Sequence, residues 1–125
     1  MNEPAVAVRG RENDPLALLK SNEASRKLLK AVADKWVILI LLTLDQEPKR
    51  YSEILNSVEG ISQKVLSQRL TMLTDSGMMT RTSYPETPPR VVYTLTDLGR
   101  SAVPAAETMA LWVHDNVATV MAARS

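Results

Sequence analysis

Apolar residues recur every three or four positions over most of this chain, in short groups parted by polar or proline-bearing turns. That spacing predicts helices. Asp14-Pro15 reads as an N-cap followed by proline at the first helical position. It opens a short helix carrying Leu16, Leu18 and Leu19. Ser21 or Asn22 caps a second helix with Leu28, Leu29 and Val32. Asp34 caps a third, KWVILILLTL, which is apolar nearly all round. Periodicity alone does not separate a buried helix from a buried strand there. The preceding cap and the flanking helices favour a helix.

The pattern changes after a polar turn, Gln46 to Arg50, that contains Pro48. Tyr51 to Val58 places Ile54, Leu55 and Val58 on one side of a short helix. Gly60 can adopt the left-handed conformation that ends it, and Ser62 caps the next helix. With Val65 at N3 there is no capping box. The tight turn Glu59-Gly60-Ile61 makes residues 51–76 a helix-turn-helix. Residues 78–95 read as a β-wing, with strands Met78 to Tyr84 and Arg90 to Leu95 around a tip stiffened by three prolines. Thr96 caps a last helix over 97–122, whose first turns Gly99 and Pro104 should weaken or kink. Ala106, Met109, Val113, Val117 and Val120 form an apolar stripe along it. The class expected is mainly α with a small β-wing: a winged helix-turn-helix flanked by N- and C-terminal dimerisation helices. Residues 1–13 read as a flexible tail, and 14–125 as a single winged-helix domain.

Candidate chemistry sits on the helix that Ser62 opens. At about 100° per residue, Val65, Leu66, Leu70, Met72 and Leu73 gather on one face. Lys64, Ser67, Gln68, Thr71 and Asp75 fall opposite, with Gln63 and Thr74 at the edge. Short hydrogen-bonding groups let a helix enter a major groove about 12 Å wide and reach base edges. The DNA-contacting set is therefore Ser62, Gln63, Lys64, Ser67, Gln68 and Thr71. Gln68 can read an adenine with two hydrogen bonds, and Lys64 can take a guanine or a phosphate. Arg69 projects onto the apolar side, either snorkelling to a phosphate or pairing with a carboxylate such as Glu53. On the wing, Arg81 and Arg90 can grip phosphate or enter a minor groove, or else balance local acids such as Glu86. Tyr93 reads as packing.

The stripe from Ala106 to Val120 is more than a small winged helix can bury by itself. It predicts a homodimer, with Leu16, Leu19, Leu28 and Leu29 assisting. A two-fold dimer implies an inverted-repeat operator. Trp36, Met109 and Trp112 are candidates for lining a small-molecule effector pocket, although such residues at helical spacing commonly belong to a core.

Charge changes little in this picture. A formal net charge of +1 neither supports nor excludes nucleic acid, since local clusters decide. It leaves room for an alternative, a winged-helix module that docks a protein without DNA specificity. The absence of cysteine removes disulfides, thiolate metal sites and cysteine chemistry. His114 is the only histidine, the four glycines form no phosphate loop, and the acids suggest no carboxylate dyad. No catalytic residues, metal ligands or cofactors are expected. The start lacks the apolar core of a signal peptide, and the run Trp36 to Leu44 is far short of the ~20 residues a membrane helix needs. A cytoplasmic location without membrane contact follows as the expectation.

DKWVILILLTL, RYSEILNSVEGISQKVLSQRLTMLTDSGMMTR, YPETPPRVVYTLTDLG and the downstream Trp112 together resemble the HxlR-type winged-helix transcriptional regulators, a family related in fold to the MarR regulators. The resemblance covers about residues 24 to 115. Its specific parts are the lysine-tryptophan helix, the G-I-S turn, the Leu70, Leu73, Gly77 ending and the P-P-R-V-x-Y-x-L-T wing. It implies a small dimeric DNA-binding protein of bacteria or archaea that represses or activates nearby operons. Its first and last helices would form the dimer interface. On that pattern Ser62 to Thr71 form the recognition helix and Arg81 to Arg90 the wing. Several members of the family sense oxidants or electrophiles through a cysteine near the first core helix. The matching region here, Leu16 to Lys30, has none, so any effector would be sensed without a thiol.

Overall fold

A computed structural model describes residues 14–125, and the chain divides into two compact units, one ending at Asp34 and the other running from Lys35 to Ser125. The tail expected over residues 1–13 lies outside the described residues.

The first unit holds α1 (Pro15–Lys20) and α2 (Glu23–Val32). Asp14 caps α1 through Oδ1, which accepts from the Leu16 amide at 3.2 Å, with Pro15 at N1. Asn22, rather than Ser21, caps α2 by accepting from the Ser25 amide at 3.1 Å. Ser21 is instead the C-cap of α1. Arg26 turns back so that its guanidinium donates to the Leu19 and Lys20 carbonyls at 3.0 and 2.7 Å. Those carbonyls lie at the end of α1, where helical partners run out. Neither helix buries a residue, and Leu16, Leu18, Leu28 and Leu29 are all exposed.

The second unit runs α3 (Lys35–Asp45), β1 (Lys49–Arg50), α4 (Tyr51–Ser57), α5 (Gln63–Asp75), β2 (Met79–Tyr84), β3 (Arg90–Leu95) and α6 (Asp97–Arg124). The ambiguous apolar run is helical. Val37, Ile40, Leu41 and Leu44 are buried at i, i+3, i+4 and i+7 along α3, while Leu39 is exposed. The core is completed by Ile54 from α4, Leu66, Leu70 and Leu73 from α5, Met78 and Met79, Tyr93 and Leu95 from β3, and Val103 and Ala106 from α6. No polar or charged residue is buried among the described residues. The side chains of this interior contribute through apolar burial, at about 25 cal/mol per Å² removed from water.

The three strands form an antiparallel sheet in the order β1-β3-β2. β1 falls within the segment Gln46 to Arg50, whose sequence predicts a polar turn. Its two residues pair with β3, Lys49 opposite Tyr93 and Arg50 opposite Val92. Two residues are too few to show alternation, so only the partner strand reveals it.

Gly77 ends α5 at φ +78°, a conformation in which L side chains are strained. The Met78 amide donates to the Leu73 carbonyl at 3.0 Å, and the Gly77 amide to Thr74 at 3.1 Å. This is the Schellman pattern, with Met78 and Leu73 as its buried apolar pair. It explains why β2 begins at Met79 rather than Met78.

α6 continues unbroken through Gly99 and Pro104, against the expectation that they would weaken it. Pro104 is exposed and forfeits one hydrogen bond on a helix anchored on either side by buried Gly99, Val103 and Ala106. Gly99 is there for space. A Cβ at this position would collide with the Met78 carbonyl. From Glu107 onward no residue of α6 is buried.

Candidate nucleic-acid interface

α5 is positioned by its two ends and by its apolar face. Ser62 is extended (φ −83°, ψ 159°), and its Oγ accepts from the Val65 amide at 3.1 Å. The turn before it is closed by the Ile61 amide donating to Val58 at 3.2 Å and by Gly60 at φ +87°. Inward, Leu66, Leu70 and Leu73 lock the helix to the core. Outward, Gln63, Lys64, Ser67, Gln68 and Thr71 are exposed, and Lys64 is the cation among these five. Arg69 is half-buried. Glu53 is committed to its own helix, accepting from the Arg50 amide at 2.8 Å.

One residue that sequence reasoning passed over joins this surface. The Tyr51 hydroxyl, at the start of α4, lies 3.1 Å from the Gln63 carbonyl oxygen and 3.1 Å from Ser67 Oγ. The contact spans 16 residues, so no local spacing rule points to it. A tyrosine opening the first helix of a helix-turn-helix, facing the second, was the available signal.

On the wing the two arginines differ. Arg81 is exposed on β2 opposite Tyr93, with no ion pair among the described residues. It shares a cleft of about 230 Å³ with Leu70, Thr71, Thr74, Asp75 and Tyr93, where α5 meets the wing. Thr71 and Arg81 are thus brought together. Arg90 is already engaged. Its Nε and Nη2 donate to the Glu86 carboxylate at 3.2 and 3.0 Å, and its guanidinium lies 4.1 Å from the centre of the Tyr84 ring. The hydrogen bond to Glu86 raises the already high pKa of Arg90, so this cation stays charged but is locally balanced.

The three residues considered for an effector pocket are not assembled together. Met109 and Trp112 line a groove of about 590 Å³ with Ala105 and Thr108, all four on one face of α6. Trp36 does not line it. Its ring edge stands 3.9 Å from where a Cβ on Gly60 would be, against the helix-turn-helix turn. Met109, Leu111, Trp112, Val113, Val117, Val120 and Met121 are all exposed on α6. Ala106, assigned by its spacing to the same stripe, belongs to the core instead. His114 is exposed on α6. No cluster of three metal-binding side chains occurs among the described residues, and none of their helices is long and apolar enough to cross a membrane.

Comparison with known proteins agrees with this geometry. The sequence profile described as HxlR-like helix-turn-helix matches residues 31–121. The HTH-type transcriptional regulator YtfH of Escherichia coli is 37% identical over 100 residues, covering 80% of this chain and 79% of that one. Among solved structures, the YtfH transcriptional regulator of Salmonella typhimurium superposes with a TM-score of 0.75 at 38% identity, over 80% of this chain and 89% of that one. The reduced form of the redox regulator HypR superposes with a TM-score of 0.72 at 26% identity, over 80% and 99%.

Proposed function

Because the chain belongs to the HxlR-like helix-turn-helix family of transcriptional regulators, we propose that it reads an inverted-repeat operator as a homodimer, through the exposed face of α5 and the wing. It is a DNA-binding regulator and not an enzyme. The observation that carries the finer reading is the composition of the α5 surface. Lys64, Ser67, Gln68 and Thr71 stand exposed on a helix whose opposite face buries Leu66, Leu70 and Leu73. Small hydroxyl and amide groups there allow close approach to base edges, and Lys64 supplies charge near the helix N-terminus, where the backbone dipole also favours a phosphate. Ser62 and Gln63 occupy the first turn, where unpaired backbone amides meet the DNA backbone in such helices.

Arg81 is the wing cation available for phosphate. Arg90 joins it only by exchanging Glu86 for DNA, a near-neutral trade in charge. The dimer is supported by apolar surface that a single chain leaves in water. α6 exposes Trp112, Val113, Val117, Val120 and Met121, while α1 and α2 expose four leucines. Two copies related by a two-fold axis would set their recognition helices about 34 Å apart, one turn of DNA. Any effector acts without a thiol, since the sequence has no cysteine, and the groove beside Met109 and Trp112 is the apolar site available to it.

A mobility-shift titration against the intergenic DNA upstream of the protein's own gene, with scrambled duplex as competitor and at two salt concentrations, tests this reading. A specific shift that weakens steeply with salt is expected, because phosphate contacts release counterions. Equal competition by scrambled DNA, with little response to salt, would favour a protein-docking role for the winged helix.

A further inference from the structure

The Tyr51 hydroxyl stands between two oxygens of α5, the Gln63 carbonyl and Ser67 Oγ, each at 3.1 Å. A carbonyl has no proton to give, so Tyr51 donates to Gln63. A phenol carries one proton only. The contact with Ser67 is then a hydrogen bond when Ser67 donates to the tyrosine oxygen. This is the proton arrangement in which both short contacts are attractive. The alternative, with Tyr51 donating to Ser67, would leave the phenol and carbonyl oxygens facing each other lone pair to lone pair.

A free serine hydroxyl on a recognition helix both donates and accepts, and so tolerates many bases. Ser67 has its single proton turned inward and offers only lone pairs outward, on the same exposed face as Lys64 and Gln68. An acceptor-only hydroxyl is repelled by phosphate oxygens and by guanine N7 and O6 or thymine O4. It is matched by an amino group, adenine N6 or cytosine N4. We propose that Tyr51 is a specificity-positioning residue, which fixes the polarity of Ser67 so that this serine selects adenine or cytosine over guanine or thymine on the strand it faces. The inference rests on α5 being the base-reading helix.

The test is competition binding of full-length protein against operators altered one base pair at a time, for the parent, Tyr51→Phe, Ser67→Ala and the double variant. In the parent, one position in each half-site should favour amino-bearing bases by about three- to tenfold, the scale of one net hydrogen bond. Tyr51→Phe frees the Ser67 proton and should shrink that preference below about twofold. Other positions and the salt dependence should change little, while the thermal midpoint should fall modestly with the two lost hydroxyl bonds. Ser67→Ala keeps the Tyr51–Gln63 bond and should lose the same preference. The double variant should add nothing at that position. An unaltered preference in Tyr51→Phe would overturn the proposal, as would a uniform loss of affinity at every position, the mark of a merely structural hydroxyl. Loss of folding in Tyr51→Phe leaves Ser67→Ala to decide, and unchanged base preference there refutes the idea. A parent without any sequence preference would remove the underlying DNA-reading proposal as well, and is distinguishable from failure of the Tyr51 role alone.

Discussion

The Thr96 hydroxyl donates a 2.7 Å hydrogen bond to the Gly77 carbonyl, 19 residues earlier in the chain. The same oxygen accepts from the Gly99 amide at 3.1 Å, and the Thr96 amide donates to Met78 at 3.1 Å. One residue therefore caps α6 and ties its start to the end of the recognition helix. The wing leaves and returns at this knot, so the spacing between wing and recognition helix depends on it.

Thr96→Val keeps the shape and β-branching but removes both hydroxyl bonds. It should cost about 1–2 kcal/mol of stability, the usual size of a lost N-cap. Urea unfolding followed by tryptophan fluorescence measures this. A midpoint equal to the parent's would show the knot to be unimportant.

Gly99→Ala should destabilise the protein, against the ordinary gain of about 1 kcal/mol for this change inside a helix. The sign reverses because the added methyl meets the Met78 backbone carbonyl, which cannot swing aside as a flexible side chain would. A loss of about 2 kcal/mol or more is expected, as for overpacked cores. Thermal unfolding checks the direction, and an increase in midpoint would contradict the close packing of α6 on this corner.

Glu86→Ala releases Arg90 and should strengthen DNA binding, steepening the salt dependence by roughly one released counterion. Arg81→Ala should weaken binding more than Arg90→Ala does, because Arg90 loses Glu86 whenever it gains a phosphate. Fluorescence anisotropy with labelled duplex across a salt series gives both slopes. Equal effects of the two arginine variants would mean that the Glu86 pair is too weak to matter.

On α5, Lys64→Ala should lower affinity with little change in base preference if Lys64 holds a phosphate. Gln68→Ala should relax discrimination at one position by about 1–3 kcal/mol. Both residues are exposed, so circular dichroism and thermal midpoints should match the parent. Parent-like operator binding by both variants would place the reading face elsewhere.

Val117→Asp puts a charge into the exposed apolar stripe of α6 and should yield one chain per particle by light scattering at micromolar concentration. The parent should show two. Since Val117 makes no part of the buried core, the variant should stay folded. A parent that scatters as a single chain would remove the dimer from the account.

The elements legible in the sequence were those set by local chemistry. Asp14, Asn22, Ser62 and Thr96 announce helix starts because a cap bond reaches only two or three residues ahead. Gly77 announces a helix end and Gly60 the turn that follows one, because few other residues accept a positive φ. The face of α5 follows from its 3.6-residue period. What stayed hidden depends on residues far apart in sequence. β1 exists because β3 is there to pair with it, Tyr51 is aimed by the docking of α4 on α5, and Gly99 is small because Met78 comes close. Trp36 looked interchangeable with Trp112 as a pocket wall, yet tertiary packing sends it to the Gly60 turn. The Arg90–Glu86 pair was within local reach as an i, i+4 spacing. The sequence leaves that pair and a phosphate contact as competing readings of Arg90, and the side chain takes the pair.

The most direct test of the central claim is selection of bound duplexes from a random library by the purified parent protein, followed by sequencing. An enriched inverted repeat is expected, with half-sites centred about one helical turn, roughly 10 base pairs, apart. The same selection with Gln68→Ala should lose preference at one position in each half. Enrichment of a solitary half-site, or of no motif at all, would contradict a two-fold dimer reading DNA through α5.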